Sequence, residues 1–302
     1  MAGELYLVES PYTFLGMRGE RGRTKLSVVG VPFDSTNSFR GGSRFAPVKV
    51  RLASQSLETY SFRAHSDLEL NPPVDEGDVA VVHGDAEATL KAVAEVAHYL
   101  TSEGRIPFFI GGDHTVTYGI VEGVVRALGK PPCILILDAH LDLRNEYLGF
   151  RLSHACTARR VSEVVGPDRV FLIGVRAACR DEVLDARRLG INYITSHDLL
   201  RKTLRESVNK VRAWLEGCDA VYVSIDADVI DPAYAPGVAT PEPEGLTPTY
   251  VLDLLWKVVD GRFVGADLVE INPMADYSDV TSFLGAKILI ELMNILNALR
   301  KR

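Results

Sequence analysis

The sequence is short of several things, and each shortage excludes a class of protein. It has no excess of positive charge: 33 Lys and Arg stand against 40 Asp and Glu, for a net charge of −7. Proteins that grip a nucleic-acid backbone carry a basic patch, so no nucleic-acid partner is expected. A cationic small substrate stays open. No unbroken apolar run reaches the ~18–20 residues of a membrane helix, so no membrane span is expected either. The opening stretch MAGELYLVES carries Glu4 and Glu9 where a secretory leader has a basic start and an apolar core. Cysteine is scarce: Cys133, Cys156, Cys179 and Cys218 lie far apart, with no C-x-x-C pair. Neither a disulfide framework nor a thiolate zinc site is expected, and the four read as small buried hydrophobes in a reducing cytoplasm. There is no G-x-x-x-x-G-K-[ST] phosphate loop and no G-x-G-x-x-G, so Gly41–Gly42 is not a nucleotide cradle. Glutamine is nearly missing, with Gln55 alone, and 24 Arg outnumber 9 Lys. Scarce Gln fits a thermophilic source.

What remains is an ordinary globular composition. The chain has 302 residues, 47% hydrophobic and 24% charged, too apolar to stay disordered. At ~150 residues per domain the length allows two domains, but large α/β folds often run longer as one. No linker, charge run or repeat divides the sequence. A single domain over 1–302 is expected, with its core from about 26 to 300. Short β-branched runs recur at Leu26–Val31, Val79–Val82, Pro107–Ile110, Ile134–Leu137, Val170–Ile173, Asn192–Ile194, Ala220–Ile225 and Phe263–Val269. Most are separated by stretches with apolar spacing near 3.6, such as EATLKAVAEVAHYL and HDLLRKTLRESVNKVRAWL. Alternating runs and helices mean βα units and a mostly parallel sheet covered on both faces. A closed barrel and an open doubly wound sheet both fit. Either places the functional site at the carboxyl ends of the strands.

The polar residues fall at those ends. The third run stops in FFIGGDHT, with Asp113 and His114; the Gly111–Gly112 pair permits a sharp turn there. The fourth stops in LILDAHLDLR, with Asp138, His140 and Asp142; the seventh in VSIDADVIDP, with Asp226 and Asp228; the eighth in LVEINP, with Glu270. In an extended chain, i, i+2 and i+4 share one face, so Asp138, His140 and Asp142 are expected to point together. Asp226 and Asp228 repeat the pattern. The plainer alternative is that these Asp residues cap turns. Yet converging carboxylates repel and desolvate badly without a cation. Four Asp carry −4, which two divalent cations balance. Oxygen and imidazole donors without thiolate suit Mn²⁺ better than structural zinc, and two such ions can generate a nucleophile from water. Glu270 reads either as the acceptor for a cationic substrate or as half of a salt bridge. His154, in RLSHACTARR, reads as a proton donor or shuttle, or as a packed cap. His65, His83, His98 and His197 have no partner pattern and read as structural. Ser224 precedes Asp226 but lies in no nucleophile elbow.

Together, GGDHTVTYG, DAHLDLR, SIDADVIDPAYAPGVATPEPEGLT, GVPFDSTNSFRGGSRFAPVKVR and EINP resemble the hallmark segments of the ureohydrolase (arginase/agmatinase) family. The likeness runs from about Gly30 to the C-terminus. It implies a single three-layer α/β/α domain with an open eight-stranded, mostly parallel sheet, and a cytoplasmic homo-oligomer, trimeric or hexameric. It implies two Mn²⁺ per chain on His114, Asp138, His140, Asp142, Asp226 and Asp228, with Asp138 and Asp226 bridging. Glu270 matches the position that holds the guanidinium, and His154 the proton shuttle. The implied activity is hydrolysis of a guanidino compound to urea and an amine, most like agmatine to putrescine. The neighbouring readings are arginase and guanidino-acid hydrolase. A one-metal deacetylase of related fold and a non-catalytic binding paralogue are more distant, since no ligand is missing. The chain departs from the family at Ala155, Ala239 and Glu244, where glycines are usual. The substrate tail turns on Arg144, two residues past Asp142: free, it favours a carboxylate-bearing substrate; neutralised by an acidic neighbour such as Glu146, it favours agmatine.

Overall fold

The computed structural model describes residues 2–300. Its strands are β1 (Leu7–Val8), β2 (Leu26–Gly30), β3 (Tyr60–Ser61), β4 (Ser66–Asp67), β5 (Val74–Val79), β6 (Ile106–Ile110), β7 (Cys133–Leu137), β8 (Val170–Val175), β9 (Asn192–Thr195), β10 (Val221–Asp226) and β11 (Phe263–Val269). Its helices are α1 (Ala46–Ser54), α2 (Ala86–Ser102), α3 (Val116–Leu128), α4 (Thr157–Val165), α5 (Arg180–Leu189), α6 (Ser196–Arg201), α7 (Leu204–Leu215), α8 (Pro248–Val258) and α9 (Val280–Arg300). β3 and β4 form a small separate hairpin. The other nine strands make one open sheet in the order β1-β5-β2-β6-β11-β10-β7-β8-β9. The eight parallel strands expected are there, and the antiparallel β1 adds a two-residue edge. The barrel alternative is excluded.

Period-two alternation sends each strand's side chains to opposite layers. On β7, Cys133, Leu135 and Leu137 join the core beneath α1, α8 and α9, while Ile134 and Ile136 join the core beneath α2, α3 and α4. Both faces are therefore covered, and β7, β8 and β10 are buried throughout, as buried parallel strands must be. Local signals fix the helix starts. Asp85 accepts a hydrogen bond from Ala88 N at the start of α2, and Thr203 and Glu206 close a capping box on α7.

Two expectations are corrected, and one long apolar helix is accounted for. The second run is displaced: the strand is Val74–Val79, because Asp75, Glu76 and Asp78 within VDEGDV mask it in a hydropathy reading, and Val82 is exposed. The stretch Tyr277–Leu299 is long and apolar enough to cross a membrane by length and composition, yet 72% of its apolar window is buried inside the fold. It is a core helix. Finally, the four cysteines are not all free thiols. Cys133 and Cys218 form a disulfide across 85 residues, while Cys156 and Cys179 are free. Spacing could not reveal the bond, because strand pairing is what brings the amino ends of β7 and β10 together.

Candidate metal centre

Four neighbouring strands, β6, β11, β10 and β7, end on one side of the sheet, and each delivers polar groups there. His114 follows β6 through the glycine turn. A Cβ on Gly112 would lie 1.8 Å from the Phe33 carbonyl oxygen, so only glycine lets the two backbones meet. Asp138 follows β7, Asp226 ends β10 and Glu270 follows β11.

The ligand candidates do not converge in the way an extended chain would bring them. β7 ends at Leu137, and Asp142 has φ +48. On β10, Asp228 already lies in a 3-10 turn, Ala227–Val229. Both leading Asp residues cap the turn that follows: Asp138 Oδ1 accepts from His140 N at 2.6 Å, and Asp226 Oδ1 from Asp228 N at 2.8 Å. The capping reading holds, and it leaves the second oxygen of each carboxylate free for the ligand reading. Asp138 Oδ2 and Asp226 Oδ2 lie 3.1 and 3.2 Å from His114 Nδ1, and Asp142 Oδ2 lies 3.4 Å from it. Nearby, His140 Nδ1 sits 2.9 Å from Asp228 Oδ2 and 3.6 Å from Asp138 Oδ1. Asp228 is aimed by its other oxygen, which accepts from Ala139 N at 3.0 Å. Asp138 belongs to both groups, which suits a bridging ligand.

A specific feature tests whether this cluster fits metal ions. His114 Nδ1 and Asp138 Oδ2 are buried and have no hydrogen-bond partner, although they are 3.1 Å apart. Two such unpartnered buried atoms facing one another beside further carboxylates leave a place for a cation. Without a cation, protons substitute for it. Burial opposes charging of His114, but Asp138, Asp142 and Asp226 raise its ring well above the ordinary imidazole range. Burial and the neighbouring Asp138 push Asp142 up to about 7. Burial and Asp228 likewise raise Asp226 well above the carboxylate range. The donor set fits two hard or borderline divalent ions.

Glu270 is buried, with φ +63, and its Oε1 accepts from His114 N at 2.8 Å. No Lys or Arg among the described residues forms an ion pair with it, so the salt-bridge alternative fails. Burial and the nearby Asp113 raise its pKa well above the carboxylate range. His154 opens a single 3-10 turn, His154–Cys156, ahead of α4. Thr36 Oγ1 accepts from His154 N at 3.0 Å and itself donates to Asp113 Oδ2 at 2.9 Å. Burial depresses the His154 ring to about 4, so it is neutral at pH 7. Arg144 is paired, but with Glu182 at 3.8 Å instead of Glu146, and its guanidinium lies 5.1 Å from the centre of the Tyr147 ring. Glu182 comes from α5, far from Arg144 in the chain, which is why sequence proximity pointed elsewhere. A cavity of about 330 Å³ joins His114, His140, Asp142, His154, Arg144 and Glu270. His65, His83, His98 and His197 do not reach it.

The chain matches the arginase family over residues 24–294. The chain belongs to that family. It is 36% identical over 274 residues to an agmatinase of Bacillus anthracis, covering 89% of this chain and 91% of that one. It is also 36% identical over 270 residues to the N(1)-aminopropylagmatine ureohydrolase of Thermococcus kodakarensis, covering 88% and 89%. Among solved structures, the agmatine ureohydrolase of Thermoplasma volcanium superposes with a TM-score of 0.85 at 36% identity, covering 94% and 93%. The three-layer architecture is thus the arginase fold, and family members are metal-dependent hydrolases.

Sequence reasoning passed over two parts of this arginase-family centre. Thr36 holds His154, and Ser224 and Asp267 stand behind His114. Asp267 gave a readable signal, since a carboxylate in the middle of the apolar strand FVGADLV is costly without a partner.

Proposed function

We propose that the protein hydrolyses agmatine to putrescine and urea with two Mn²⁺ bound per chain. The observation that carries the reading is the pairing of two features in one cavity: a cluster of four Asp and two His with orphaned acceptors, and a buried glutamate with no protein counter-ion. His114, Asp138, His140, Asp142, Asp226 and Asp228 would hold the two ions. When bound, such a pair acidifies a water and supplies a nucleophile at neutral pH.

The chain's own residues do the rest. Glu270 binds the guanidinium and orients its carbon toward the cluster. Water adds at that carbon and the bond to the alkyl-bearing nitrogen breaks. Urea leaves with the carbon, and the departing amine takes a proton. Asp142 and His154 are placed to move that proton; a ring neutral at pH 7 can accept and pass it. Arg144, held by Glu182 and Tyr147, is the one Arg or Lys among the described residues lining the cavity. An α-carboxylate would therefore find no free cation, and unpaired buried charge is expensive.

This predicts kcat/KM for agmatine at least ~100-fold above that for arginine, or about 2.7 kcal/mol. Urea release with Mn²⁺ is to be measured on agmatine, N(1)-aminopropylagmatine, arginine and 4-guanidinobutyrate. Preference for a carboxylate-bearing substrate that vanishes in Arg144→Ala would refute the assignment. Preference for N(1)-aminopropylagmatine would move it to the longer substrate of the Thermococcus relative. The resemblance also supports trimers or hexamers in the cytoplasm, testable by light scattering and fractionation. A cytoplasmic disulfide is at home in hyperthermophiles, in keeping with the near absence of Gln.

A further inference from the structure

Asp267 is fully buried in the middle of β11, and the proposed chemistry does not use it. It sits directly across from Ser224 on the parallel strand β10. Ser224 Oγ donates to Asp267 Oδ1 at 2.6 Å, and Tyr222 OH donates to Asp267 Oδ2 at 2.9 Å. Ser224 Oγ also lies 3.1 Å from His114 Nε2 and 3.3 Å from Thr117 Oγ1. Tyr222, Ser224 and Asp226 alternate along one face of β10, so one face carries both a metal-ligand candidate and the groups behind another.

We infer that Asp267 and Ser224 form a relay that fixes the tautomer of His114 and so prepares one of the two metal sites. This relay rests on the metal reading above and follows from where the protons sit. Asp267 accepts from Tyr222 OH at one oxygen and from Ser224 Oγ at the other, so the Ser224 hydrogen points to it. The Ser224 oxygen then has only lone pairs left, one for Thr117 and one for His114. Nε2 of His114 must therefore carry a proton, and in the neutral, metal-binding ring Nδ1 presents the lone pair. Nδ1 is the atom that faces Asp138, Asp142 and Asp226 and has no hydrogen-bond partner. A metal-bound histidine that donates its far N–H is held in orientation and made a better ligand. His140 is not served by this relay: its partners in the structure are Asp138 and Asp228. Ser224 and Asp267 are therefore positioning residues for one ion of the pair.

The test is Mn²⁺ binding to the metal-free full chain, by competition with a chelating indicator, on wild type, Ser224→Ala and Tyr222→Phe. Wild type should bind two ions. Ser224→Ala should bind one of them ~10–100-fold more weakly and keep the other. Tyr222→Phe removes an equally buried hydrogen bond to the same carboxylate without touching His114, and should bind both ions as wild type does. Melting of the three metal-free proteins serves as the control for folding. Unchanged affinity in Ser224→Ala, equal losses in the two variants, or weakening of both ions in step with a lowered metal-free Tm would overturn the relay. A wild type that binds no pair at all would overturn the metal reading itself, and the relay with it.

Discussion

Reduction of the Cys133–Cys218 bond is the perturbation whose size the structure fixes best. The bond closes a loop of 85 residues that contains Asp138, His140, Asp142 and His154. Opening it returns chain entropy to the unfolded state, and for a loop of this length the cost is about 4.5 kcal/mol. A chain of this size gains about 0.6 kcal/mol per kelvin of entropy on melting, so Tm should fall by about 7 °C. The bond lies at the amino ends of β7 and β10, whereas the metal candidates lie at their carboxyl ends. Mn²⁺ affinity at 25 °C should therefore survive reduction. The assay is scanning fluorimetry with and without a phosphine reductant, on Mn²⁺-free protein, beside thiol titration in denaturant. Two titratable thiols before reduction and four after, with the Tm drop, is the expected result. Four thiols before reduction, or a Tm that ignores reduction, would refute the reasoning.

Other perturbations address the centre itself. Glu270→Gln keeps the shape and removes the charge; urea release should fall at least a thousandfold, or ~4 kcal/mol, while Mn²⁺ content holds, and loss of both metal and fold would return Glu270 to a structural role. Asp142 is pushed up to about 7 when no metal is bound, above its value of ~4 in an unfolded chain, so the metal-free fold binds more protons there than the unfolded state does. Metal-free stability should thus decline as pH rises from about 4 to 7, and the raised ring of His114 extends the decline above its unfolded value of ~6.5. Mn²⁺ needs the deprotonated donors, so the gain in Tm on adding it should grow over that window; a gain independent of pH would contradict the coupling. Glu244 is exposed and has φ +64, a conformation suited to glycine. Glu244→Gly should raise Tm by about 1 °C, on about 0.5–1 kcal/mol left after the chain entropy of glycine offsets part of the relieved strain, and a lower Tm would show that the loop gains from its side chain.

Which residues matter was largely readable, because the chemistry sits at the ends of short apolar runs and strand ends are where a parallel sheet offers a site. How they meet was not. The D-x-H-x-D spacing brings Asp138, His140 and Asp142 together through a turn with a left-handed Asp142, and no periodicity announces such a turn. The partner of Arg144 came from α5, and the partner of Cys133 from the loop before β10. Both are long-range contacts that depend on the strand order. Asp267 was visible as an anomaly in its strand, but its meaning needed the register that sets it across from Ser224.

Two residues of the centre, Asp142 and Glu270, have left-handed backbones, at φ +48 and φ +63. Side chains other than glycine reach that region at a cost of about 1–2 kcal/mol. Glycine at either place would relax the main chain, and it would also remove a proposed ligand or the proposed guanidinium seat. Stability and activity therefore pull in opposite directions at these two positions. A library of variants selected only for heat resistance should drift toward glycine there and lose turnover as it does so. One selected for urea release should keep both residues and gather its stabilising changes elsewhere, at exposed left-handed positions such as Glu244.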